Sequence, residues 1–247
     1  MATQAAPELA PSKAARRAVT PFAGAVAGIV FAVLFGVSVT IFRQTAGDVS
    51  SDTGAWLSGD TGTFKFALGL LPFAGLAFIW FMAGARERLG TREDQFFSTV
   101  FIASGTLFLA MVFAGAAGMG GLVAAAAADP EEFAASTTYS YARQAVGQLL
   151  SIFAVRMAAI FLLSQAVLWL RTGVMPRWMA LLAVLGFLVL MFVYTQAFWL
   201  VLVFPAWVAL VSVYILIAHL RGRPTPGGDE PPMAGGDEPP ATISAIP

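Results

Sequence analysis

No cysteine occurs in the chain's 247 residues, and histidine occurs once, at His219. The first absence excludes a disulfide framework, a thiol nucleophile, an iron–sulfur cluster and a thiolate zinc site. The second leaves little for haem or copper. Charge is also scarce. Only 11% of residues are Asp, Glu, Lys or Arg, against about 25% in ordinary soluble domains. The 14 basic and 14 acidic residues cancel, so no bulk field points to nucleic acid or an acidic substrate. Phosphate loops, the GxSxG elbow, HExxH and a dinucleotide fingerprint after a strand are all missing. No catalytic group and no cofactor emerge, and an enzyme is the least favoured class.

What the chain does have is apolar length, with 58% of its residues hydrophobic. A bilayer core about 30 Å thick needs roughly 20 helical residues, and the sequence divides into six such segments at about 22–42, 66–85, 96–118, 144–170, 178–195 and 198–219. The first follows Thr20-Pro21, a reasonable N-cap and N1 pair. The third follows Thr91 and Asp94 at capping-box spacing, and its Ala/Gly-rich end, 114–128, reads as a weakly apolar extension. Asp129-Pro130-Glu131-Glu132 reads as the start of a short helix between spans. No Asp, Glu, Lys or Arg falls between Trp178 and Leu220, which allows two spans joined by a turn near Tyr194-Thr195-Gln196. Alternating Val and Phe there also permits strands, but length favours helix. Pro72 and Pro205 read as kinks.

Arginine and lysine set the orientation. With the N-terminus in the cytoplasm, the inner segments hold Lys13, Arg16, Arg17, Arg86, Arg88, Arg92, Arg171, Arg177, Arg221 and Arg223, and the outer ones only Arg43, Lys65 and Arg143. The expected fold is therefore all-α, a polytopic helix bundle of six transmembrane helices in residues 19–220 with both termini cytoplasmic. Residues 1–18 read as a flexible tail. Residues 221–247, which repeat GGDEPPMA as GGDEPPAT, read as a disordered Pro/Gly/acidic tail. Trp80, Trp169, Trp178 and Trp199 fall near span ends, as in an interfacial aromatic belt.

Two features bear on function. Gly24, Gly28, Ala32, Gly36 and Thr40 recur every fourth residue and give span one a small-residue face for close helix packing, inside the chain or in a homodimer. Ala110, Ala114 and Gly118 form a shorter series in span three, and the two series are expected to pack together. Arg156 stands in the middle of span four, where a cation costs about 2.5–3.5 kcal/mol, while no acid lies in any span. Its partner is a backbone carbonyl, a polar side chain such as Gln148, Ser104 or Thr106, a lipid phosphate, a bound anion or an acid on another protein.

The stretch from Arg156-Met157-Ala158-Ala159-Ile160-Phe161 through Leu168-Trp169-Leu170-Arg171 to Met175-Pro176-Arg177-Trp178-Met179-Ala180 resembles a group of uncharacterised bacterial multi-pass membrane proteins, a domain-of-unknown-function family. The resemblance implies a helical bundle in a bacterial plasma membrane and brings no functional residues. The chain reads as a non-enzymatic accessory or regulatory component in contact with the lipid bilayer and with a membrane-protein partner or a second copy, and not with nucleic acid. The alternative is a small channel or facilitator in which Arg156 binds an anion or polar solute.

Overall fold

A computed structural model describes residues 13–47, 49, 52–87, 95–193 and 198–221. All regular structure among them is helical: α1 (Lys13–Ala46), α2 (Gly62–Glu87), α3 (Gln95–Ala125), α4 (Pro130–Ala134), α5 (Thr137–Gln148), α6 (Val155–Thr172), α7 (Arg177–Phe192) and α8 (Phe198–Leu220). A π-helical segment, Leu149–Ala154, joins α5 to α6 without a break. Five stretches are long and apolar enough to cross a bilayer: Phe22–Ala46, Gly62–Glu87, Gln95–Ala125, Thr137–Thr172 and Leu200–Leu220.

The fifth expected span, 178–195, differs. α7 has 16 residues, about 24 Å of helix, and it ends at Phe192 instead of reaching residue 195. At the other end of the chain, α1 begins at Lys13 and runs through Thr20-Pro21. That pair therefore lies inside a helix, and residues 13–18 of the expected tail are helical. Lys, Ala and Arg are strong helix formers, and one proline removes a single backbone bond. The Ala/Gly extension of span three is also helical, to Ala125. The Thr91–Asp94 box, the turn at 194–196, Trp199 and the C-terminal repeat lie outside the residues or side chains described.

Exposed and buried helix faces are both apolar. Val26, Val30, Val33 and Val37 of α1 are exposed, as are Phe66, Phe73, Leu76, Ile79 and Trp80 of α2 and Leu181, Leu185, Leu188 and Phe192 of α7. Apolar surface this continuous is rare on a water-soluble monomer and natural in lipid.

Inside, phenylalanine rings from five helices meet: Phe31 (α1), Phe78 (α2), Phe108 (α3), Phe161 (α6) and Phe204 (α8). Centroid separations include 4.8 Å for Phe31–Phe78, 4.6 Å for Phe108–Phe204 and 5.4 Å for Phe161–Phe204. These are the tilted and edge-to-face geometries that rings favour. A smaller apolar cluster, with Leu57, Phe64, Met119, Leu122, Tyr139 and Val146, closes the end of the bundle that carries the α1–α2 and α3–α5 connections, called the loop end below.

α1 lies along α2 and α8. Its buried seam runs Gly24, Gly28, Phe31, Phe35, Ser38, alternating steps of four and three as helix–helix seams do. A strict every-fourth series turns about 40° further round the helix at each step, so the small-residue stripe leaves the seam. A methyl group on Gly24 would stand 2.8 Å from the Gly84 Cα, and one on Gly28 would stand 2.7 Å from a Phe81 ring carbon. Ala32 is only half-buried, and Gly36 has open space around its Cβ position. The span-one and span-three series do not meet: Ala110 and Ala114 are exposed, and Gly118 faces Val146 of α5. Ser38 instead links α1 to α2, its Oγ 3.0 Å from the Ala67 carbonyl. Trp80 and Trp178 are exposed, but Trp169 is buried against Trp207, with ring centroids 5.9 Å apart.

Gly24→Ala should lower the apparent Tm in detergent by several degrees. Its methyl meets backbone, which cannot rotate aside, and overpacking costs about 1–3 kcal/mol. Gly36→Ala should leave the Tm unchanged or raise it, because alanine favours helix by up to about 1 kcal/mol. Parallel melting curves check the contrast.

Candidate functional site

Arg156 is half-buried on the second residue of α6, and its Nη1 donates to the Leu190 carbonyl at 2.8 Å. That oxygen is one of the last four carbonyls of α7, which have no donor within their own helix. The Val189 carbonyl accepts from Val193 N at 3.1 Å. Among apolar neighbours a bare carbonyl costs about 1–3 kcal/mol, and a helix C-terminus carries partial negative charge. A guanidinium from the adjacent helix answers both. Of the partners open to Arg156 from sequence, this is the backbone carbonyl.

Leu190 also lines a pocket of about 130 Å³ at the loop end of the bundle. Its apolar end is built from Phe35, Leu71, Phe108, Ala158 and Phe204, continuous with the ring cluster. Its polar side chains are Arg43, Arg143 and Ser151, and no acidic side chain is among its described lining residues. Arg156, Gly24, Gly28, Ala32 and Gly36 are not in the lining. The π segment supplies Leu150, Ser151 and Ala154 to the wall; such segments recur at functional sites. From Phe35 to Arg43 along α1 is eight residues of helix, about 12 Å, which separates the apolar part of the lining from its arginines.

Arg143 is held in place by the α1–α2 connection. Its Nε donates to Asp52 Oδ2, with both side chains buried, and its Nη2 lies 3.5 Å from the Gly47 carbonyl. The other carboxylate oxygen, Asp52 Oδ1, accepts from Gly54 N at 2.8 Å. Gly54 has φ +75°, and a methyl there would stand 2.6 Å from the Ala134 Cβ, so both its conformation and its neighbours require glycine. Trp56 Nε1 then donates to the Tyr139 hydroxyl at 3.2 Å. On the facing side, Asp129 caps α4 by accepting from Glu132 N at 3.0 Å, and Ser136 caps α5 by accepting from Tyr139 N at 3.1 Å. The α1–α2 connection is thereby fastened to α5, with Asp52 and Arg143 91 residues apart in sequence.

The sequence placed Arg43 and Arg143 only as outer charges. Their signal was their position: each adjoins an apolar run, on the side otherwise poor in basic residues. Asp52 and Ser151 carried no comparable mark. No family model, curated protein or solved structure matches the chain.

Replacing Arg156 with methionine removes the insertion cost of a cation, about 2.5–3.5 kcal/mol, but strands a carbonyl worth about 1–3 kcal/mol. These opposing contributions are of similar size, so global stability should change little. The local effect is larger: in Arg156→Met, hydrogen exchange of the Leu190–Val193 amides should rise about tenfold while the middle of α7 keeps its protection. Exchange measured by mass spectrometry checks this.

Proposed function

We propose that the chain is a six-span protein of a bacterial plasma membrane with both termini in the cytoplasm. α7, at about 24 Å, is the short fifth span, and its end within the bundle is completed by Arg156. The protein works as a non-enzymatic accessory or regulatory component, whose association with a membrane-protein partner or second copy responds to a small molecule held in the pocket. The observation that supports this reading is the pocket itself. It combines an apolar interior with a few polar groups, the usual build of a ligand site, and it stands where a helix stops inside the bundle and another turns π-helical. Irregular helices of this kind line binding sites in membrane proteins. The facilitator reading relied on Arg156 lining a solute path, and that guanidinium instead donates to Leu190 and lies outside the pocket lining.

A chain without cysteine suits labelling. On intact cells an impermeant maleimide should modify Asp60→Cys and Glu131→Cys, and should reach Glu87→Cys only after permeabilisation; all three positions are exposed. The opposite pattern refutes the orientation. Crosslinked purification from native membranes through a C-terminal tag should then recover a partner or second copy in fixed stoichiometry, and recovery of a lone monomer refutes the accessory role.

A further inference from the structure

We infer that the pocket takes one compact, uncharged molecule the size of a single ring, a phenol or small cyclic alcohol, with its hydroxyl against Ser151. The inference rests on the reading of this protein as a ligand-responsive component and adds the chemistry of the ligand. Volume sets the size. About 130 Å³ is slightly less than the roughly 150 Å³ of an apolar cavity that admits one benzene molecule, so neither a whole lipid nor a fused three-ring molecule fits. The walls set the polarity. Phe35, Phe108 and Phe204 line the interior, and the Phe108 ring lies 5.9 Å from that of Phe35 and 4.6 Å from that of Phe204, centroid to centroid. Leu71, Val112 and Leu200 continue the apolar surface. A charge brought among them loses its hydration and is accepted only where an opposite charge stands ready. For a cation, the described lining holds no acidic side chain. For an anion, Arg143 is already neutralised by its buried ion pair with Asp52, and Arg43 is not a free charge either. Ser151, half-buried on the π segment, is the one uncharged polar side chain among the described lining residues. A hydroxyl both donates and accepts, so it pairs with a neutral hydroxyl on the ligand and calls for no charge there.

The test uses the full chain in phosphatidylcholine nanodiscs at about pH 7, where a phenol is neutral, and follows 4-fluorophenol by fluorine NMR with empty nanodiscs subtracted. 4-Fluorophenol should bind saturably at one per chain. Phenol and cyclohexanol should displace it, and 4-methylbenzoate, benzylammonium and 9-phenanthrol should not. Ser151→Ala should weaken 4-fluorophenol about fivefold, the loss of one neutral hydrogen bond, and leave fluorobenzene unchanged. Ala116→Leu, which fills the pocket from a half-buried wall position, should abolish binding with little change in Tm. Ala116→Val, a smaller filling, should weaken binding several-fold and serves if the leucine variant does not fold. Displacement by 4-methylbenzoate or benzylammonium as effective as that by phenol overturns the uncharged class, and displacement by 9-phenanthrol overturns the size; in either case the pocket reading stands. Ser151→Ala binding both fluorinated probes as the unaltered chain does, or losing both equally, overturns the hydroxyl contact. If 4-fluorophenol does not bind saturably, or if neither Ala116 variant changes its binding, this inference and the ligand-responsive reading fall together.

Discussion

Contact between phenylalanine rings, more than exclusion of water, is what the bundle's cohesion depends on. The helices are apolar on both faces, so lipid and protein offer each helix similar apolar surroundings, and burial alone hardly favours one over the other. Close, shape-matched contact is what remains. The rings of Phe31, Phe78, Phe108, Phe161 and Phe204 supply it at one level of the bundle. Between α1 and α2, Gly24 against Gly84 brings backbone to backbone. Large rings at the centre and absent side chains at a crossing solve the same packing problem in opposite ways.

A second constraint acts on the backbone. Inside an apolar medium every carbonyl needs a donor, and a helix that stops early leaves several without one. α7 stops early, and an arginine on α6 serves the Leu190 carbonyl. The isolated charge of α6 and the shortness of α7 are thus parts of one arrangement. Neither accounts for itself alone: the cation would be costly without its acceptor, and the helix end would be costly without its donor.

The apolar stretches were legible in the sequence because bilayer thickness imposes a length, and charged residues mark most of their ends. Where no charge marked an end, the boundary was missed: nothing between Trp178 and Leu220 indicates that α7 ends at Phe192. The capping roles of Asp129 and the α4 helix after it were readable because they are local. The pocket was not readable, because it depends on which residues of α1, α3, α5 and α8 come to face one another. Arg43 and Arg143 look in one dimension like ordinary span-flanking charges. The small-residue stripe was half informative: its first glycines mark a true close approach, but a straight every-fourth pattern cannot follow a seam that advances by alternating fours and threes.

The fastening of the loop end has a mechanical consequence. Asp52–Arg143 and Trp56–Tyr139 tie the α1–α2 connection to α5, and the second apolar cluster fills the space beneath them. α7 meets α8 through the edge-to-face rings of Trp178 and Tyr214, with centroids 6.1 Å apart, a contact without the directional hold of an ion pair or hydrogen bond. Stiffness is therefore unevenly distributed around the pocket. One wall is a braced block of four helices, and the other is a short helix packed mainly on α6 and held at its tip by one guanidinium. Compliance gathers on the α7 side, so that wall yields first when the bundle is deformed by a change in bilayer thickness or lateral pressure.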